Sequence, residues 1–229
     1  MVGIVIQARM NSSRFPGKVL HAIAGKPLLQ YLFESLGHCR EADMLAVATS
    51  DRDTDDPVAA FCREHGVPCH RGSLEDVAGR MLGAAERFGL TAFARVCGDS
   101  PLLDHRLADR MLAAFRAGDL DLATNVGMRT FPVGQSVEVL DTAAFAKACR
   151  RMRTAAQREH VTRIFYETPG DARIRNIESE GDYGTVRLCV DTREDMARVA
   201  AMVRAMRRPH WDYDYRALAA LAAAVSEAR

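Results

Sequence analysis

A chain of 229 residues with 48% hydrophobic and 27% charged residues has the make-up of one ordinary globular domain with room for a sizeable core. Its 31 Lys and Arg against 30 Asp and Glu leave a net charge of +1, so there is no global electrostatic case for a nucleic-acid partner. No apolar run approaches the roughly 20 residues needed to cross a bilayer, and six scattered cysteines with no C-x-x-C pair or zinc-spaced histidines suggest reduced thiols and a cytoplasmic setting.

The first element is Val2-Gly3-Ile4-Val5-Ile6, a short apolar run that reads as a buried strand. It meets Arg9 with no basic segment before it, so a signal peptide is not expected. The strand empties into a loop carrying Arg9, Arg14 and Lys18, with Ser12, Ser13 and Pro16-Gly17 between them. Arginine offers a planar fork of donors and lysine a mobile point charge, and both suit phosphate oxygens. Open α/β sheets take their ligands at the carboxyl ends of strands. The loop therefore reads as a polyphosphate-binding loop; a solvated basic surface loop is the alternative that the cations alone would favour. It is not a Walker loop, since Ser12 stands at the first glycine position and Val19 at the hydroxyl position, and no G-x-G-x-x-G follows the strand.

Leu28, Leu29, Leu32, Phe33 and Leu36 recur at helical spacing behind Pro27. Residues 44–49 form a second apolar strand, Asp56-Pro57 opens a helix closed by Gly66, and residues 67–69 read as a short third strand. Arg71-Gly72-Ser73 then turns into a helix placed over Glu75, Asp76 and Arg80, for which Ser73 is the expected cap. This alternation predicts a doubly wound α/β fold with a largely parallel sheet.

Residues 92–97 are the next strand, and it runs into Gly98-Asp99-Ser100-Pro101. A carboxylate directly after a buried strand is well placed to hold a hard cation, so Asp99 is a candidate metal ligand, whereas Asp104 reads as a helix cap. A helix through Leu107, Met111 and Phe115 precedes a strand at 120–124, followed by Asn125 and the loop Arg129-Thr130-Phe131-Pro132-Val133-Gly134. Glu138 lies between two valines on an extended stretch, an inward or edge carboxylate. Asp141-Thr142 caps a helix, and residues 157–165 read as another. Residues 174–177 and 186–190 read as strands, the second ending at Asp191. Thr192 with Asp195 makes a capping box ahead of a helix through Met196, Val199 and Met202, and an Ala- and Leu-rich helix over 218–225 ends the chain.

Residues 8–18 resemble the signature of the sugar-activating cytidylyltransferases, A-R-x-x-S-x-R-x-P-G-K, matched by Ala8, Arg9, Ser12 or Ser13, Arg14, Pro16, Gly17 and Lys18. The spore-coat-polysaccharide type is the nearest, as Arg158-Glu159-His160-Val161-Thr162 also indicates; the enzymes making CMP-linked 3-deoxy-octulosonate and CMP-sialic acid are more distant. The resemblance implies a single domain over 1–229 with the fold of the nucleotide-diphospho-sugar transferases, and makes 126–181 the candidate acceptor-binding and dimerisation region. It implies CTP as substrate, with Ala8, Arg9, Ser12, Ser13, Arg14, Gly17, Lys18 and Asp99 on the nucleotide, and Gly72, Ser73 and Arg80 beside base and ribose. Asp99 and Asp191 would hold Mg²⁺, and Arg9, Arg14 and Lys18 would be catalytic. Asn125, Arg129, Glu138, Glu159 and His160 fall on the acceptor side. Arg129 reads equally as a surface arginine, Glu138 as an edge charge and Ser73 as a turn residue.

The implied reaction is attack of an acceptor oxygen on the α-phosphorus of CTP with loss of pyrophosphate. The acceptor is expected to be an anionic or amino sugar, a small phosphonate being the alternative, and a homodimer is expected by analogy. Two other classes stay open. A nucleotide-sugar glycosyltransferase usually carries Asp-x-Asp, which Asp99-Ser100-Pro101 lacks. A silent nucleotide-binding module would not need Lys18, Asp99 and Asp191 together.

Overall fold

The computed structural model describes residues 1–168 and 170–227. The chain runs through β1 (Val2–Gln7), a small hairpin of β2 (Ala22–Ile23) and β3 (Lys26–Pro27), α1 (Leu28–Leu36), β4 (Met44–Ser50), α2 (Asp56–Glu64), β5 (Cys69–Gly72), α3 (Val77–Arg87), β6 (Ala92–Cys97) and α4 (His105–Arg116). It continues through β7 (Leu122–Thr124), β8 (Glu138–Asp141), α5 (Thr142–Arg151), α6 (Ala155–Glu159), α7 (Arg163–Glu167), β9 (Ile174–Asn176), α8 (Arg193–Ala205) and α9 (Tyr215–Glu227).

The main sheet has seven strands in the order β5-β4-β1-β6-β8-β7-β9. β8 alone runs against the others. From β1 the chain steps outward to β4 and β5, then crosses back to lay β6 on the other side of β1. That reversal leaves a crevice outside the carboxyl ends of β1 and β6, where doubly wound sheets bind ligands.

Side-chain alternation decides which layer each strand residue joins. Ile4, Ile6, Val47 and Val96 pack with Leu29 and Leu32 of α1, Val58 of α2 and Met111 of α4. Val5, Ala48, Phe93 and Leu140 point the other way, onto Val77 and Met81 of α3 and Phe145 of α5. A third cluster joins Leu28 and Tyr31 of α1 to Met196 and Val199 of α8 and Leu218 of α9, with Phe15 of the basic loop among them. The doubly wound, mostly parallel α/β fold is the one expected from sequence.

Several boundaries fall elsewhere. The third strand is Cys69–Gly72 and not 67–69, because the Val67 amide is spent on Cys62 O at 2.9 Å, closing the turn after α2. The next helix starts only at Val77, and its cap is Asp76, which accepts from Gly79 N at 2.8 Å. Ser73 and Glu75 therefore lie in the preceding turn. Residues 157–165 are not one helix: α6 and α7 are separated at Val161, whose φ of 34° is in the left-handed region that β-branched residues avoid. Residues 186–190 are not a ladder strand. Their backbone groups are spent piecemeal, Leu188 N on Val133 O at 2.7 Å and Val190 N on Asp99 O at 2.8 Å.

Candidate active site

The basic loop is held from below before it meets any ligand. Met10 N donates to Asp55 Oδ1 at 2.6 Å, and the other oxygen of Asp55 takes Ser50 N at 3.1 Å at the end of β4. Gly17 N closes back on Met10 O at 2.8 Å. Gly17 has φ 74°, which a residue with a Cβ adopts only under strain. Gly98 is required for a different reason: a Cβ there would lie 2.9 Å from Ala8 Cβ and 3.0 Å from Gln7 O. Without one, the loop after β6 packs directly against the loop after β1.

The result is a cleft of about 230 Å³ lined by Ala8, Arg9, Ser12, Ser13, Arg14, Lys18, Asp99 and Asp191. At its floor the Lys18 side chain is 9% exposed. Its ammonium donates to Val190 O at 2.7 Å, Asp99 Oδ2 at 2.8 Å and Asp191 Oδ1 at 3.1 Å. Arg14 reaches the same Asp191 oxygen at 3.1 Å, and Arg187 takes Asp191 Oδ2 at 3.1 Å. Burial alone would weaken the charge on Lys18, but Asp99 and then Asp191 outweigh it and raise its pKa above the ordinary lysine value. Burial likewise opposes the charge of Asp191. The hydrogen bond and charge of Lys18, with Arg14 and Arg187, more than offset it and leave the carboxyl below its ordinary value.

The cleft brings together cations on a glycine-shaped loop and two hard carboxylate oxygens from separate chain segments, groups whose chemistry suits phosphate oxygens and a hard cation. In comparison with known proteins, residues 3–188 match the family model described as cytidylyltransferase. The chain belongs to the cytidylyltransferase family. It is 32% identical over 215 residues to the spore coat polysaccharide biosynthesis protein SpsF of Bacillus subtilis, covering 90% of this chain and 88% of that one. A 3-deoxy-manno-octulosonate cytidylyltransferase of Nitratidesulfovibrio vulgaris (strain Hildenborough) is 34% identical over 128 residues, 52% of this chain and 48% of that one. Among solved structures, a cytidylyltransferase from Leptospira borgpetersenii superposes with a TM-score of 0.91 at 27% identity, covering 99% and 94% of the two chains. The chain is thus a nucleotidyltransferase.

In this cytidylyltransferase the expected base-side residues stand apart from the phosphate cleft. Gly72 ends β5, and Ser73 lines a separate depression with Asp51, Arg52, Asp53 and Glu75. Arg80 is 1% exposed and turned under that turn, donating through Nη1 to Ser73 O, while Nε and Nη2 have no partner among the described residues. Burial, then the charge of Arg9, brings its pKa down to about 10.

A second cavity of about 360 Å³ adjoins the cleft, with Cys97 in the wall of both. Arg129, Glu138, His160, Arg163 and Tyr166 line it. Arg129 donates to Ser136 Oγ at 3.2 Å. Glu138 is fully engaged: Oε2 takes Arg95 Nη1 at 2.7 Å and Thr162 Oγ1 at 3.1 Å, and Oε1 takes Tyr166 OH at 2.8 Å. Glu159 instead faces the basic loop, 3.7 Å from Arg9. Asn125 lies behind the cavity and not in it. It is 1% exposed, and its amide is spent on Gln135 O at 2.7 Å and Val137 N at 2.9 Å, so it shapes the loop that carries Ser136.

Sequence reading passed over Arg95, Asp55, Arg187 and Tyr166. The signal for Arg95 was present: a charge inside Ala-Phe-Ala-Arg-Val-Cys demands a buried partner. Among the described residues no group of three or more His, Cys, Asp or Glu side chains is arranged to hold a metal, and the acidic side chains lining the cleft are Asp99 and Asp191.

Proposed function

We propose that the chain transfers CMP from CTP to a hydroxyl of a small anionic or amino sugar, releasing pyrophosphate, with Mg²⁺ held by Asp99 and Asp191. The observation that carries this is one ammonium, Lys18, bonded to both carboxylates at the floor of a cleft whose rim is Arg9 and Arg14. Such a cleft suits a triphosphate, and it lies at the switch point between β1 and β6.

In the reaction the acceptor oxygen bonds to the α-phosphorus, the bond from that phosphorus to its bridging oxygen breaks, and the electron pair leaves on pyrophosphate. Chemistry of this kind needs positioning and charge neutralisation more than covalent help. Arg9, Arg14 and Lys18 neutralise charge growing on the leaving phosphates, each charge-assisted contact contributing about 1.5–3 kcal/mol. The hard oxygens of Asp99 and Asp191 fit Mg²⁺, which takes one or two carboxylates alongside substrate phosphates. Bound there, the ion supplies further neutralisation of phosphate charge. The adjoining cavity suits the acceptor. Arg95 is neutralised by Glu138 and Arg163 is paired with Glu167, which leaves Arg129, with His160 beside it, to face an anion; an acceptor phosphonate would meet the same groups.

The dimer expected by analogy has a candidate face. β9 is one of the two edge strands of the sheet, Ile174 on it is 37% exposed, and nearby Met128 is 63% exposed. Unpaired edges and exposed apolar side chains are commonly covered by a second copy. Sedimentation of the wild type against Ile174→Asp checks this.

Calorimetric titration of CTP, UTP, GTP and ATP, with and without Mg²⁺, into wild type and Asp99→Asn tests the reaction. CTP preference that depends on Mg²⁺ and weakens in Asp99→Asn supports the reading. Binding indifferent to both nucleobase and metal rejects it.

A further inference from the structure

Lys18 does more than rest near two acids. All three of its donor hydrogens are spent on oxygens: one from Asp99, one from Asp191 and the carbonyl of Val190. Two carboxylates and a carbonyl are the ligand types a hard divalent cation takes. The ammonium thus fills the position in which the carboxylate pair would hold its metal.

The cage around it is built independently of Lys18. Val190 N donates to Asp99 O at 2.8 Å, which ties the two carboxylate-bearing segments together. Asp191 N donates to Asp195 Oδ2 at 2.9 Å, and Arg187 grips Asp191 Oδ2. Only Oδ1 of Asp191 is given to Lys18 and Arg14. The oxygens therefore keep their places when the ammonium leaves. In the free protein the two carboxylates are met by three cations, Lys18, Arg14 and Arg187, so an added dication meets net positive charge. A triphosphate in the cleft reverses that balance. It offers oxygens to Lys18 and to Arg14, whose side chain is 63% exposed and free to turn.

We propose that Lys18 and a divalent cation are alternative occupants of one oxygen cage formed by Asp99, Asp191 and the Val190 carbonyl, and that a nucleotide triphosphate drives the exchange by taking the ammonium onto its own oxygens. The inference rests on the nucleotidyl-transfer reading above. It makes the nucleotide the gate for the metal, and it makes Arg187 a positioning residue that fixes Asp191 with Oδ1 as the exchangeable oxygen.

The test is Mn²⁺ binding to the full chain, read by water-proton relaxation, which separates protein-bound from nucleotide-bound metal. Without nucleotide, Lys18→Met should bind Mn²⁺ about tenfold or more tightly than wild type, the equivalent of removing one charge-assisted competitor. Lys18→Met/Asp99→Asn should lose that gain. Arg14→Met, which changes an exposed side chain and spares the core, should gain about threefold, as expected for a weaker surface ion pair. CTP added to wild type should raise its Mn²⁺ affinity to that of Lys18→Met. Nucleotide-free wild type that binds Mn²⁺ as tightly as both variants overturns the exchange. If GTP opens the cage as well as CTP does, the exchange stands and the cytidine assignment falls instead.

Discussion

Arg95 and Glu138 sit directly opposite each other across the antiparallel pair β6 and β8, and Arg95 Nη1 donates to Glu138 Oε2 at 2.7 Å. The same guanidinium donates through Nε and Nη2 to Gln7 Oε1 at 3.2 and 3.1 Å. One partly buried arginine therefore joins the end of β1, in the basic cleft, to the floor of the adjoining cavity. Removing it strands a carboxylate that is 4% exposed. Arg95→Met should cost about 3–5 kcal/mol of stability, as expected for an uncompensated buried charge. Arg95→Met/Glu138→Leu should recover much of that loss. Urea midpoints of the two single variants and the double variant decide it, and a double variant no more stable than Arg95→Met rejects the pairing.

Asp55 is the strut under the basic loop. It is fully buried, and its carboxylate holds Met10 N and Ser50 N, one from each of two neighbouring strand ends. Asp55→Ala takes the acceptor from the buried amide and hydroxyl of Ser50 and from the partly buried Met10 amide, at about 1–3 kcal/mol for each buried group left unsatisfied. The loop carrying Arg9 and Arg14 should loosen with it. The expected result is a lower melting temperature together with CTP affinity reduced about tenfold, one charge-assisted contact's worth. A variant that melts early but binds CTP as well as wild type would show that the strut supports the sheet and not the site.

The architecture and the grouping of the basic-loop residues with Asp99 in one cleft were legible in the sequence for a common reason. β1, β4 and β6 are central parallel strands, so they read as apolar runs, and the groups at their carboxyl ends follow directly in the chain. Arg9, Arg14, Lys18 and Asp99 needed no long-range knowledge. β5 was harder, because Cys-His-Arg-Gly on a sheet edge has no apolar signature. Val186 to Val190 misled in the opposite direction: the run is apolar because Leu188 and Val190 pack under α8, not because it pairs in the sheet. The second cavity was half hidden, since Arg95, Glu138 and the pair Thr162 and Tyr166 come from three separate segments and meet through the register of β6 on β8. Asn125 could be placed near the cavity but not turned toward or away from it, as that depends on Gln135 ten residues on.

Arg129 should separate the two substrates. It lines the second cavity, where its side chain donates to Ser136 Oγ, and it is not among the residues lining the basic cleft. Arg129→Ala should raise the acceptor KM about tenfold, the loss of one charged hydrogen bond. The affinity for CTP, measured without acceptor, should stay the same. Equal losses for both substrates would sink the assignment of the second cavity to the acceptor.

Acid should weaken the fold through Asp191. Burial opposes its charge, but Lys18 foremost, with Arg14 and Arg187, keeps the folded carboxyl below its ordinary value of 3.8. Asp195, which opposes the same burial with Arg198 and the Asp191 and Thr192 amides, is depressed as well. A carboxyl whose folded pKa is depressed contributes stability that is fully present above the unfolded pKa and is lost as pH falls through the folded one. In metal-free buffer the urea midpoint should therefore hold steady down to about pH 5 and fall from there to about pH 3. Lys18→Met removes the largest of the groups that hold the Asp191 proton off, so its acid limb should be shallower than that of wild type over the same interval. An identical limb in the two proteins would mean that the Lys18 contact with Asp191 does not govern the proton, and would count against Lys18 as the resident cation of the cage.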